Sequence, residues 1–197
     1  MSGAQIVHLF GITLLSGAII SGISSSDKTW LQWHFSRLGE GGHISALIFN
    51  AALVIAGIML IILGYKLKYA VTSLLKEYKL LSNHKTLLLY RMIYVVGLCL
   101  IVVGLFPFDV HPRIHNIGGY GSLVAVLILC YLSPYLLPIF SNKYIRYSHF
   151  LVAATFIIYT FYFTIHSLRL LIVEFVLFVF VYIWLLAFIK EIYNKIK

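Results

Sequence analysis

Charge is what this sequence has least of. Only 11% of its 197 residues are Asp, Glu, Lys or Arg, whereas a soluble domain carries roughly 25%. A chain of this size cannot enclose so much apolar surface in water. A mean hydropathy of +0.98 points to the bilayer as its solvent. Acids are scarcer still, six against 15 Lys and Arg. Cysteine is nearly absent: Cys99 and Cys130 are isolated within apolar runs, with no CxxC spacing. They read as buried small hydrophobes and carry no redox or metal role. No GxSxG, HExxH or P-loop motif occurs, and no linker long enough to divide the chain. The N-terminus lacks the basic n-region and cleavage site of a secretory signal. Gln5–Ile23 is therefore expected to remain as a first helix.

What is present is a series of long apolar runs. Six can cross a bilayer: Gln5–Ile23, Ile44–Tyr65, Thr86–Phe106, Gly118–Phe140, His149–Ile165 and Leu170–Ile189. About 20 helical residues span the hydrocarbon. Lipid offers no partner for backbone amides, so the crossings are helices, and no alternating barrel pattern competes. The expectation is an all-α polytopic membrane protein of one domain, residues 1–197, with six transmembrane helices in one bundle. The short fifth run is expected to begin in the interface or to sit in thinned lipid. Pro134 and Pro138 are expected to kink the fourth helix or end it early.

The loops give a sidedness. Lys66, Lys68, Lys76, Lys79, Lys85, Arg91, Lys143, Arg146, Lys190, Lys195 and Lys197 fall on one side. Lys28, Arg37, Arg113 and Arg169 fall on the other, where Asp27, Glu40, Asp109 and Glu174 match them in number. The formal net charge of +9 thus belongs to the first side. By the positive-inside rule that side is cytoplasmic, with both termini, and the protein is expected in the cell membrane. Basic residues dispersed along a membrane face suit lipid contact and exclude nucleic acid as a partner. Between spans two and three, Leu67, Val71, Leu74, Tyr78 and Leu81 recur every three or four residues among lysines. This predicts an amphipathic helix lying in the inner headgroup region.

Polar chemistry concentrates on the sparsely charged side. Its three loops each hold a His followed closely by an Arg: His34 and Arg37, His111 and Arg113, His166 and Arg169, with His43 and His115 besides. Span one ends Gly22 then Asp27, and span three ends Gly104 then Asp109, a faint echo at equal spacing. Near hydrocarbon, opposite charges should meet. The first loop is therefore expected to fold over the helix ends as a cap, stitched by Arg–carboxylate pairs and His hydrogen bonds. Glu174, one turn inside span six, would be paired by Arg37, Arg113 or Arg169. Candidate ligand-binding residues are Arg37, Glu40, His43, Asp109, His111, Arg113, His115, Asn116, His166, Arg169 and Glu174.

Several chemistries fit those residues. Three arginines can converge on a phosphate or carboxylate, and the Gly118–Gly121 stretch leaves helix amides free for an anion. A lipid headgroup is the nearest such ligand, and a partner membrane subunit is the other candidate occupant. Metal binding is an alternative: His111 and His115 share an HxxxH spacing, and Asp109, His43 or His166 would complete a set for a membrane hydrolase. No cofactor is expected. Two b-type haems would need His pairs between helices, and only His8 and His43 sit suitably. A purely structural subunit of a larger membrane complex remains the third reading.

The stretches "HFSRLGEGG", "IFNAALVIAGIMLIILGY", "GLFPFD" and "HNIGGYG" together resemble the prokaryotic six-helix proteins of domain-of-unknown-function family 998. The likeness rests on Ser36-Arg37-Leu38-Gly39, Asn50, Phe106-Pro107 and His115, and covers most of the chain. It implies six helices and a plasma-membrane location. It implies no settled activity and carries no catalytic residues.

Overall fold

Six hydrophobic segments with no exposed backbone partner in lipid have one solution, and the chain adopts it. A computed structural model describes residues 1–27, 29–77, 84–137, 139–164 and 169–196, the side chains of 84–86 excepted. The helices are α1 (Gly3–Ser24), α2 (Ile44–Glu77), α3 (His84–Leu105), α4 (Pro112–Leu136), α5 (Asn142–Thr164) and α6 (Leu170–Tyr193). All six are long and apolar enough to cross a membrane, and there are no strands among the described residues. This is a multi-pass integral membrane protein. Each helix packs on its predecessor, and α6 returns to α1, closing the bundle. Helices α1 to α3 and the α3–α4 pair make the broadest contacts.

Ser2 caps α1 by accepting from the Gln5 amide, while the Gln5 side chain takes the Ser2 amide, so two helix-end donors are satisfied reciprocally. The core that follows runs through Ile6, Val7, Leu60, Leu63, Leu129, Trp184 and Phe188, all almost wholly buried. Within it Trp184 stacks on Phe188 at 5.1 Å and its indole N–H donates to Ser148 Oγ at 2.8 Å. Pairing that N–H removes the cost of burying it.

Helix ends depart from expectation in three places. Helix α2 does not stop at the membrane edge. Its 34 residues run unbroken for about 51 Å, and Leu67, Val71 and Leu74 are buried in the core. The stripe expected to lie on headgroups is packed on protein instead. Nothing after Gly64 breaks the helix, so its inward face simply continues. Tyr78 and Leu81 lie outside the described residues. Helix α4 begins six residues early, because Pro112 at its first position has its dihedral set for helix and no amide to satisfy. It ends at Leu136, two residues beyond Pro134. Helix α5 begins at Asn142, so Lys143 and Arg146 belong to its first turns rather than to a loop.

The α2–α3 pair depends on glycine. A Cβ at Gly97 would stand 2.7 Å from the Gly57 carbonyl oxygen, and one at Gly57 would stand 2.5 Å from that of Gly97. The two backbones touch there, as small residues allow in lipid, where close packing replaces the hydrophobic effect. Gly97→Leu is expected to force the helices apart and to cost about 1–3 kcal/mol or more. Thermal unfolding in detergent should show it as a fall of several degrees. Gly119→Leu, at a position with nothing within 4 Å, should leave the midpoint unchanged.

Candidate functional site

The α1–α2 connection has little backbone pairing of its own, so other parts of the chain supply it. Two short 3-10 turns, Thr29–Gln32 and Phe35–Gly39, lie over the bundle end where α1, α3 and α5 finish and α2, α4 and α6 begin. Leu38, 3% exposed, plugs into a cluster with Phe49, Leu53 and Val103. Asn50 on α2 donates its amide to the Gly39 carbonyl at 3.0 Å. Gly39 packs so closely on that Asn50 side chain that a Cβ would collide with it. Gly41 and Gly42 take φ of 80° and 66°, the left-handed region that glycine enters freely. That turn carries the chain into α2 and aims the Gly41 N–H at Asp109 Oδ2, 2.9 Å away.

His115 ties the cap to α3 and α4. The ring is 6% exposed. Nδ1 lies 2.9 Å from the Phe106 carbonyl oxygen and Nε2 lies 3.0 Å from Ser36 Oγ. A carbonyl only accepts, so Nδ1 carries the hydrogen, and Nε2 of the neutral ring accepts from the Ser36 hydroxyl. A Ser–His contact of this length is the first element of a nucleophile and its base. Here the ring is oriented by a backbone carbonyl, and Ser36 does not line the cleft described below. The contact works as a clamp. Ser36, Gly39, Asn50, Phe106 and His115, the residues of the family likeness, meet in this one knot.

The first loop lies over the helix ends, held by contacts other than most of the Arg–carboxylate pairs expected. Glu174 meets no arginine among the described residues. Its Oε2 accepts the Phe35 backbone N–H at 2.7 Å, because the loop amide reaches that depth first. Arg169 donates to the Leu31 carbonyl at 3.3 Å, and the Leu171 N–H to that of Trp33 at 3.0 Å. Only Arg37 forms ion pairs among the described residues, with Asp27 at 3.5 Å and Glu40 at 3.3 Å.

Beside this knot opens a cleft of about 240 Å³. Arg37, Glu40, His43 and Asp109 line it, as do Asp27 and Ser45. The two aspartates of the faint repeat thus face one space. Of the other expected residues, Arg113 is exposed with no ion pair among the described residues, His111 is exposed with its ring 5.6 Å from that of Phe106, and Asn116 is half-buried. The three arginines do not gather on the cleft, which Arg37 alone lines. His166 lies outside the described residues. The HxxxH pair is split at the start of α4: His111 is the non-helical residue before Pro112, and His115, inside the helix, has both nitrogens engaged while His43 faces the cleft. Among the described residues no three His, Cys, Asp or Glu are grouped to hold a metal. His8 and His149 each meet a tyrosine hydroxyl, at 2.7 Å and 3.1 Å, rather than one another. Asp27, one of the four acids that balance the charge at this end, also faces the cleft, and Ser36 carries no charge that would mark it in the sequence. Asn50, a lone amide in an apolar run, was the available signal.

Burial shifts two groups of the cap. Burial raises the Glu40 carboxyl above its ordinary range, partly offset by Arg37 and reinforced by Asp109 and Asp27. Burial also lowers His34 below its ordinary 6.5, with His115 and Arg37 adding to the effect. Its ring stands edge-on to Phe108 at 5.9 Å.

His34 is thus favoured neutral in the folded state. Its stabilising contribution is whole above an ordinary His pKa of 6.5. It is lost as pH falls below that value, where the unfolded chain takes up the proton first. Acidification from about pH 7.5 to 5.5 should lower the thermal midpoint of the wild type more than that of His34→Gln. His115→Leu leaves the Phe106 carbonyl and Ser36 hydroxyl without their partner. It should cost about 1–3 kcal/mol in denaturant unfolding.

No curated protein and no solved structure matches this chain. Residues 9–189 match the family described as "Protein of unknown function (DUF998)". With nearly the whole chain covered, the protein is a member of that family.

Proposed function

We propose that the protein is a membrane binding module rather than an enzyme. Its cap faces outward from the cell membrane, and its cleft takes the ammonium end of a lipid-type headgroup. The carrying observation is the charge inventory of the cleft among the described residues: Asp27, Glu40 and Asp109 against Arg37. Arg37 already spans two of these acids. An anion would have to displace one of them, which disfavours the phosphate or carboxylate that the arginine count suggested. A protonated amine would meet the acids that Arg37 leaves in excess, whereas the raised Glu40 carboxyl is mainly an effect of burial. The volume, about 240 Å³, is below the roughly 300–1,000 Å³ of pockets that enclose a drug-sized ligand. It suits a headgroup and leaves acyl chains to the bilayer. The outward orientation rests on the lysine-rich opposite end. A loop of a partner membrane subunit bearing a lysine would use the same chemistry.

The test uses the full chain in detergent, titrated with ethanolamine and separately with inorganic phosphate. Ethanolamine should raise the unfolding midpoint and phosphate should not. Asp109→Asn keeps an oxygen acceptor for the Gly41 amide and removes only charge. It and Glu40→Gln should each weaken the ethanolamine effect about tenfold, the equivalent of about 1.4 kcal/mol. Stabilisation by phosphate alone, or equal ethanolamine binding in both variants, would overturn the reading.

A further inference from the structure

At the opposite end of the bundle a second groove, about 510 Å³, lies between the start of α5 and the end of α6. Lys143, Lys190 and Lys195 line it. All three are exposed, and among the described residues none of their ammonium groups has a hydrogen bond or ion pair. The one acid in the groove, Glu191, is turned to the chain itself: it accepts the Ser141 backbone N–H at 3.2 Å and contacts the Ser141 hydroxyl. The groove therefore presents three unneutralised cations and a carboxylate already engaged.

Its floor is apolar and leads into the membrane. Tyr147 and Ala187 line the groove one turn inward from Lys143 and Lys190. One turn further, Phe150 and Ile183 are 56% and 48% exposed. Positions 143, 147 and 150 on α5 share a helical face, as do 190, 187 and 183 on α6. Phe150 also packs against Phe180 of α6 at 6.2 Å. A basic mouth above a continuous apolar seam between two helices matches an amphiphile with an anionic head.

We infer that Lys143, Lys190 and Lys195 hold the phosphate of an anionic phospholipid whose acyl chains follow the α5–α6 seam past Tyr147 and Phe150. Each lysine acts as a point charge on the phosphate, so affinity is salt-sensitive. The site is independent of the cap cleft, with which it shares no residue.

The full chain is reconstituted in nanodiscs of phosphatidylcholine with increasing phosphatidylglycerol, and the thermal midpoint and retained lipid are read, the latter by mass spectrometry after transfer to detergent. Phosphatidylglycerol should stabilise the wild type and be retained. K143Q/K190Q/K195Q should lose at least tenfold in retention, whereas K143R/K190R/K195R should keep it. K68Q/K76Q, which removes two lysines from α2 at the same end, should retain lipid as the wild type does. Lys190→Gln alone, expected to give an intermediate loss, keeps the test decisive if the triple variant does not fold. Glycerol phosphate added in detergent distinguishes the sources: stabilisation equal to that by phosphatidylglycerol would overturn the lipid assignment in favour of a soluble phosphate. Equal retention by the wild type and the glutamine variants, or equal loss in K68Q/K76Q, would overturn the site.

Discussion

The cap depends on one imidazole that has a partner on each side. A neutral His ring offers one donor and one acceptor, and His115 spends them on the end of α3 and on the loop above. Pro107 turns the chain after α3 and Pro112 starts α4, so the ring is delivered from a short, stiff corner. With Ser36 fixed there, the next residues follow in register. Leu38 drops into the cluster between α2 and α3, Gly39 meets Asn50, and Gly41 points its amide at Asp109. The cleft is what remains beside that sequence of contacts.

The acids of the cap serve backbone more than side chains. Asp27 accepts the Thr29 amide, Asp109 that of Gly41 and Glu174 that of Phe35. A loop lying over helix ends has few amide acceptors of its own, and near lipid an unpaired N–H is expensive. Carboxylates that can reach are drawn to those amides before they meet an arginine. Equal numbers of acids and bases at one end of a membrane protein therefore do not imply ion pairs. Asp27 takes an amide and a guanidinium together, which is why Arg37 is held in a fork between acids.

The helices were legible because hydropathy acts over 20 residues, and a single unfavourable position does not erase it. Their ends were less so. Pro112 reads as loop when its neighbours are polar, yet its missing amide is what lets α4 begin there. The continuation of α2 past Tyr65 was legible as a stripe, but a stripe looks the same whether protein or headgroup covers it. At the site, Arg37, Glu40, His43 and Asp109 could be anticipated together from loop position and charge. Ser36 could not, since a hydroxyl becomes informative only once the ring facing it is known. The His–Arg pairs were misleading for the same reason: adjacency in sequence does not govern direction, and His111 and His115 leave one helix start into different surroundings.

The two ends of the bundle differ in what folding leaves unpaired. At the capped end several hydrogen-bonding groups are consumed by Phe106, Ser36, Phe35, Gly41 and Leu31. What remains in the cleft, among the described residues, is an excess of acids over Arg37. At the other end Lys143 on α5, Lys190 on α6 and Lys195 just beyond it have little structural duty, and Glu191 is withdrawn onto Ser141. Helix α6 belongs to both, held by Glu174 and Leu171 at one end and by the Tyr144–Trp184–Phe188 stack towards the other. With its two ends anchored by packing already complete, neither groove needs to order the helix before a ligand enters. On the two proposals above, specificity at each end would follow from sign: a site discriminates by the charge that its fold could not cancel.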